Sequence, residues 1–383
     1  MTKFRNYTAI LCFLLGLAAA ASRSYHYPQF DMDMLGYLAN VAAKQNSDPK
    51  YIHDTVYGEV RRQVPAAARE HLLGNDDTGS PQEKASRHER AVNPYRFVQF
   101  LPCFAIRPLY IELLFLLHRM GVGLIQTTTI VSVVSYGLLG VLIFLWATRY
   151  LATPLAALLC FLLVISPPVL GLAHHNGPDA FSAALLLLAF YLLFDRVSMV
   201  PGLAVLLASV YVRTDNAILV LVVLAYFCLL TDRLSISKAF VLGGMAIASV
   251  FLINHFAGDY GWRMLYYRAF IAPPLAPGEF VAQFTFTDYL HALRSGISSA
   301  INDQFIPFLL AGVVGVLAPQ KRQIKALFGI ALLYSAARFI IFPLPEPRYF
   351  SVFFLIMGLT AITAVANFYP ASAERSTAAE AVR

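Results

Sequence analysis

Two carboxylates, Asp31 and Asp33, stand in the stretch Phe30-Asp31-Met32-Asp33-Met34-Leu35-Gly36-Tyr37-Leu38, just past the first long apolar run of the chain. A carboxylate held beside a hydroxyl can take its proton during attack on an electrophilic carbon, which is general base chemistry. Acids beside so apolar a chain are costly unless they are solvated or put to use. Two residues along a helix are turned about 200° apart, so Asp31 and Asp33 cannot face the same way. Four residues return to one face, which sets Tyr37 beside Asp33. The spacing therefore divides the roles. Asp31 caps a helix over residues 33–43 by accepting its free amide hydrogens, and Asp33 faces a site with Tyr37. The plain alternative is a pair of solvated loop acids.

Other residues with chemical potential lie far along the chain. His174-His175-Asn176-Gly177-Pro178-Asp179 places two imidazoles and a carboxylate in one short turn. His174 and His175 could ligate a divalent metal, or the segment could be a polar bend in which Asp179 caps the next helix. Arg213 and Asp215 sit between two apolar runs with almost no loop; charges at such depth pair with each other or line a polar cavity. Glu346-Pro347-Arg348-Tyr349 opens the last apolar run. Arg348 could hold a phosphate by charge-assisted hydrogen bonds, or anchor the helix at the headgroups with Tyr349 in an aromatic belt. Trp262, Arg263, Tyr266, Tyr267 and Arg268 interleave aromatic and basic residues, which suits either a lipid phosphate headgroup or simple interfacial anchoring. The chain has no glycine-rich phosphate loop, GxSxG or HExxH, so ATP-driven transport and serine or zinc proteolysis are unsupported.

The elements that must position these residues are apolar. Of 383 residues, 58% are hydrophobic and 13% charged, against about 25% charged in soluble domains. Several runs reach or approach the roughly 17–25 residues that span a bilayer, without the alternation of a membrane barrel. The expected fold class is an all-α polytopic membrane protein of about ten transmembrane helices with a helical extracytoplasmic first loop. The first transmembrane helix (or a signal peptide) falls in residues 1–21. An extracytoplasmic loop follows over 22–126. Within it, residues 33–43 and 51–73 read as helices, 75–90 as a mobile stretch, and 107–120 as an amphipathic helix in the interface. Helices two to seven occupy 127–256, a second extracytoplasmic loop 257–304, and helices eight to ten 305–368. A disordered cytoplasmic tail closes the chain over 369–383.

The formal charge of +7 has an explanation in that topology. Lys3, Arg5, Arg149, Arg196, Arg233, Lys238, Lys321, Arg322, Lys325 and Arg375 fall in segments on one side of the bilayer. The positive-inside rule makes that side cytoplasmic, with both termini there and the acidic, histidine and Arg348 motifs outside. Nucleic acid is not needed as a partner. Cys12, Cys103, Cys160 and Cys228 form no CxxC pair, so neither a disulfide framework nor a zinc site is expected.

Taken in order, these motifs resemble the GT-C membrane glycosyltransferases, a group that includes the protein O-mannosyltransferases and the lipid A aminoarabinose transferases. Those proteins open with one span and an outer loop bearing an Asp-Glu pair followed by a Tyr. Here Asp33 fits the Asp and Tyr37 the Tyr, while Met34 stands where the Glu would be. Arg107-Pro108-Leu109-Tyr110 resembles the group's Pro-Leu-Tyr segment on an interfacial helix. Asp179, Arg213 and Arg348-Tyr349 match its further acid, its basic turn and its late Arg-Tyr. The large soluble C-terminal domain of some members has no counterpart.

The resemblance implies an inverting transfer of a sugar from a polyprenyl-phosphate donor to an extracytoplasmic glycan, lipid or protein acceptor at an inner or plasma membrane. It implies Asp33 as general base, with Asp31 and Asp179 as further catalytic candidates. Tyr37, Tyr110, Arg213, Arg268, Arg348 and Tyr349 become substrate-binding candidates, and a divalent metal is an option without being required. A transporter or flippase of a lipid-linked or small polar substrate, whose charges would line a path at mid-depth, is the alternative. A membrane assembly factor with a partner-binding outer loop is a third reading.

Overall fold

A computed structural model describes residues 2–368; the expected tail over 369–383, with Arg375, lies outside the described residues. The described chain is helical, and its one β contact is an isolated bridge between Gln29 and His175. Helix α1 spans Thr2–His26. Then comes a series of short helices: α2 (Met32–Ala43), α3 (Pro49–Gln63), α4 (Ala66–Leu73), α5 (Pro81–Val92), α6 (Pro94–Val98), α7 (Pro102–Ala105) and α8 (Pro108–Arg119).

Local chemistry explains where these helices start. The Asp31 carboxylate accepts from the Met34 amide at 2.9 Å and so caps α2, as its position before an apolar periodic run leads one to expect. Asp48 does the same for α3, accepting from Tyr51 N at 3.2 Å, with Pro49 at the first helical position. The expected mobile stretch over 75–90 is largely ordered instead. Ser80 and Glu83 form a reciprocal capping box ahead of Pro81, and α5 runs on to Val92. That pair satisfies two end amides at once, a start signal that the surrounding turn formers mask.

The apolar part begins with α9 (Leu124–Ala147) and continues through α10 (Thr153–Val164), α11 (Pro167–His174), α12 (Asp179–Phe190), α13 (Met199–Ala208), α14 (Asn216–Leu229) and α15 (Ile236–Phe256). The second polar segment holds two helices, α16 (Gly261–Phe270) and α17 (Phe286–Asn302), and α18 (Phe305–Leu317), α19 (Arg322–Ile341) and α20 (Ser351–Val365) close the fold. Five helices are long and apolar enough to cross a membrane, or up to eight when each bent pair counts as one span. The bends have a cause: α10 and α11 meet at 65° where Pro167 and Pro168 remove the amides that would continue the helix. Such helices suggest a membrane protein.

Two large hydrophobic cores divide the described molecule, with a small third cluster of Ile106, Ile253 and Ala257. One lies among α1, α9 to α14, α19 and α20 and is built around Tyr136, Trp146, Phe190, Phe227 and Phe354. The other joins α2, α3, α7 and α8 to the first turns of α9 and to Val212 and Met264, around Tyr37, Tyr57 and Tyr110. We call these the bundle and the cap. At 1.5 Å per residue, the 24 residues of α9 extend about 36 Å, so its two ends belong to different faces. Its first half carries the cap and the turn at Asn176. Its last end, beyond Ala147, carries the Arg149–Asp195 ion pair at 2.8 Å and Lys321 over the Tyr150 ring at 4.7 Å.

Candidate active site

Between cap and bundle lies a cavity of about 560 Å³, within the size range of about 300–1,000 Å³ for small-molecule sites. Its lining holds five arginines, Arg107, Arg213, Arg268, Arg338 and Arg348, against two acids, Asp33 and Asp215. Much of the remaining lining is apolar and includes Ala217, Ile218 and Leu221 of α14 and Ile247, Val250 and Phe251 of α15. Leu221, Ile247 and Phe251 are exposed. The cavity therefore joins a cluster of arginines to an accessible apolar surface.

At one corner the cap meets the start of the last long helix. Arg348 donates to Asp31 Oδ2 at 3.2 Å, Asp33 Oδ2 at 3.4 Å, Glu346 Oε2 at 2.6 Å and the Tyr349 hydroxyl at 3.1 Å. Arg268 lies 3.7 Å from Asp33 Oδ1. Asp31 thus works twice, capping α2 with one oxygen and holding Arg348 with the other. Only Asp33 of the two lines the cavity, but the expected divergence of the two acids does not hold: Asp31 stands in extended backbone ahead of the helix, outside the helical rotation, and both carboxylates turn to Arg348. Burial alone would raise the Asp33 pKa, but Arg348, Arg268 and Arg107 outweigh it and hold the carboxyl below its ordinary value.

The second corner is tighter. Asp215 takes a bidentate pair of bonds from Arg213, at 3.0 and 2.9 Å, and a third from Arg338 Nε at 3.0 Å. Arg213 also donates to Asp179, which is 3% exposed. Burial pushes Asp215 up, and the two arginines more than reverse it, so that it too lies below the usual carboxylate range. One ring joins the corners: the guanidinium carbons of Arg213, Arg338 and Arg348 all lie 4.8–4.9 Å from the Tyr349 centroid. A tyrosine face is a good neighbour for cations.

Several expected site residues take supporting places. Tyr37 and Tyr110 pack edge to face at 5.1 Å inside the cap core, and neither lines the cavity. The Arg107 guanidinium rests over the Tyr37 ring at 5.4 Å. Asp179 stands behind Arg213 and outside the lining. His174 is tied to the end of α1, with Nε2 3.3 Å from Ser24 Oγ and Nδ1 3.0 Å from the Tyr27 carbonyl. His175 faces Asp31 at 3.8 Å with its Nδ1 buried and otherwise without a partner. Among the described residues no three His, Cys, Asp or Glu side chains come together as a metal site would need.

Two lining residues were not foreseen as part of a site. Arg338 lies inside an apolar run, 4% exposed, with its Nη1 buried and without a hydrogen-bond partner. An ionisable residue within such a run is itself the signal, since it is costly unless used. Arg107 lies before Pro108, and its Nε is buried and likewise without a partner. Both residues line the cavity. Compared with known protein families, characterised proteins and solved structures, the chain matches none.

Proposed function

We propose that this chain is a membrane glycosyltransferase of the GT-C type that moves a sugar from a polyprenyl-phosphate donor to an extracytoplasmic acceptor. The observation that carries the reading is the cavity's construction: two carboxylates, Asp33 and Asp215, among five arginines, with an exposed apolar lining from α14 and α15. A lipid phosphate sugar has that same division, an apolar chain joined to an anion and a polar ring.

In this reading the prenyl chain enters between α14, α15 and the end of α19, and its phosphate lies among Arg348, Arg213, Arg338 and Arg107. The acceptor hydroxyl loses its proton to Asp33 as its oxygen bonds to the anomeric carbon. The carbon–oxygen bond to phosphate breaks on the opposite side, its electron pair leaves on the phosphate oxygen, and the anomeric centre inverts. Arginines fixed beforehand around that oxygen stabilise its developing charge. Arg348 is shared by three carboxylates; an arriving phosphate takes part of that bonding and leaves Asp33 freer to accept a proton. Asp179 and Tyr37 position Arg213 and Arg107. Neither a nucleotide nor a metal is required by this scheme.

The chain crosses an inner or plasma membrane about ten times in this proposal, counting the short apolar helices and bent pairs as spans. Both termini are cytoplasmic and the site opens outside. The end of the bundle bearing Arg149, Lys321 and Arg322 is then the cytoplasmic end. The test is donor turnover: the purified protein in liposomes receives a synthetic polyprenyl-phosphate sugar, and free polyprenyl phosphate is measured with candidate acceptors. Release that depends on acceptor and on the protein supports the reading. Movement of intact donor between leaflets without release would replace it with transport.

A further inference from the structure

A second cationic centre lies in the cap, outside the cavity lining. Arg90 of α5 is 6% exposed. Its Nε donates to the Ser86 carbonyl at 2.9 Å, and among the described residues its two terminal nitrogens have no acceptor and no carboxylate pairs with it. Its guanidinium carbon sits 4.4 Å from the Phe100 centroid, and that of Arg268 lies 5.9 Å from the same ring. Two guanidinium groups therefore share one aromatic residue, and Arg268 has only Asp33, at 3.7 Å, to offset it. Burial, and next the repulsion of Arg268, push the Arg90 pKa down to about 10, so it stays charged near neutrality while lacking a counter-charge. The Tyr57 hydroxyl, fully buried and without a hydrogen-bond partner, lies within electrostatic reach of Arg90.

Arg90 is nine-tenths buried, yet its two terminal nitrogens keep some contact with solvent and face no carboxylate among the described residues, so an anion from solution can reach them. The arrangement is understandable if the counter-charge comes with a ligand, since a guanidinium offers paired donors to a planar carboxylate or a phosphate. Arg268 sets the location, because it touches both Phe100 and Asp33.

We propose that Arg90 and Arg268 form an anion site in the cap that holds a phosphate or carboxylate group of the acceptor, on the side of Asp33 away from the donor's apolar wall. The word acceptor rests on the transferase reading; the anion site does not. Donor and acceptor charges would then be received by different arginines, with Asp33 between them.

Arginine-selective modification by phenylglyoxal, read residue by residue by mass spectrometry on the full-length protein in detergent, tests this without any transfer reaction. Inorganic phosphate and glucuronate are added in separate arms. Arg90 is expected to react, and one of the two anions is expected to protect it about tenfold, the size of one charge-assisted bond. Protection by phosphate points to a phosphorylated acceptor, and protection by glucuronate to an acidic sugar. In Arg268→Gln the protecting anion should be needed at about tenfold higher concentration, while Arg87, already paired with Asp76 at 2.9 Å, serves as the unaffected reference. Modification of Arg90 at the same rate with and without both anions overturns the site, as does an Arg90 that never reacts. Protection unchanged in Arg268→Gln overturns the pairing of the two arginines. Protected Arg90 in a protein that turns over no donor would retain the anion site and discard the transferase.

Discussion

At the Arg213 corner, one guanidinium binds a buried carboxylate, Asp179, and a bidentate one, Asp215, which Arg338 also holds at 3.0 Å. At the Arg348 corner, one guanidinium is spread over Asp31, Asp33 and Glu346, whose side chains are 21%, 27% and 41% exposed. The charges are of the same types and flank the same tyrosine ring. The corners differ in that the first holds a deeply buried partner, Asp179, whereas Asp215 is as exposed as Asp33, and in the number of carboxylates each arginine must share. A buried, fully bonded pair behaves as a structural joint, because removing either member leaves an uncompensated charge. An arginine shared among three partly exposed carboxylates can exchange one of them for a ligand at little cost. The comparison makes the first corner the fixed part of the phosphate cradle and the second the part that exchanges partners during the reaction.

Substitutions can break that assignment, and the largest effect belongs to the tight corner. Arg213→Gln should cost about 3–5 kcal/mol of stability, since Asp179 keeps its burial and loses its counter-charge; thermal unfolding in detergent measures it. Arg348→Gln should reverse the pattern. Its stability loss should stay near 1 kcal/mol, because its carboxylates can turn to water, while donor turnover falls about 10²–10³-fold from the loss of one charge stabiliser. Equal stability losses in the two variants would erase the distinction between the corners.

The pH dependence sharpens it further. Asp33 and Asp215 both have folded-state pKa values below their ordinary ones. Their contribution to stability is therefore complete above about pH 4, the unfolded value, and is lost as pH falls through the lower folded values. A base with the Asp33 pKa keeps its activity to the same acid limit, so the acid limb of kcat/KM should lie below the ordinary carboxylate range. Arg268→Gln removes one of the charges that hold Asp33 down and should move that limb to higher pH. The smallest effect is at His174, whose replacement by Ala should cost about 1 kcal/mol for its contacts with Ser24 and Tyr27. Donor turnover, measured in the same preparation, should be unchanged.

The parts of this fold that were legible in the sequence are those fixed by neighbours in the chain. Asp31 as a cap follows from its position before an apolar run, α8 from its amphipathic pattern and α9 from the length of its apolar run. Tyr37, expected to face the site beside Asp33, packs into the cap core instead, because spacing cannot tell a face that meets a ligand from one that meets Phe104 and Tyr110. Arg338 was lost because a single charge does not interrupt a hydropathic run, although it is the residue such a run tolerates least. Arg90 was lost inside a segment rich in turn formers, where the Ser80–Glu83 box was the overlooked order signal. The convergence of residues 33, 213, 268 and 348 on one cavity is a product of tertiary packing, and no local pattern encodes it.

The central claim is that Asp33, and not its neighbour Asp31, is the base of a sugar transfer. Asp33→Asn and Asp31→Asn, made in the same membranes and assayed with the same polyprenyl-phosphate sugar, compare the two carboxylates directly. Asp31→Asn keeps a capping side chain and should lose little activity, whereas Asp33→Asn should lose about 10²–10⁴-fold in rate with the protein still folded. Near-normal transfer by Asp33→Asn, or loss confined to Asp31→Asn, would contradict the account.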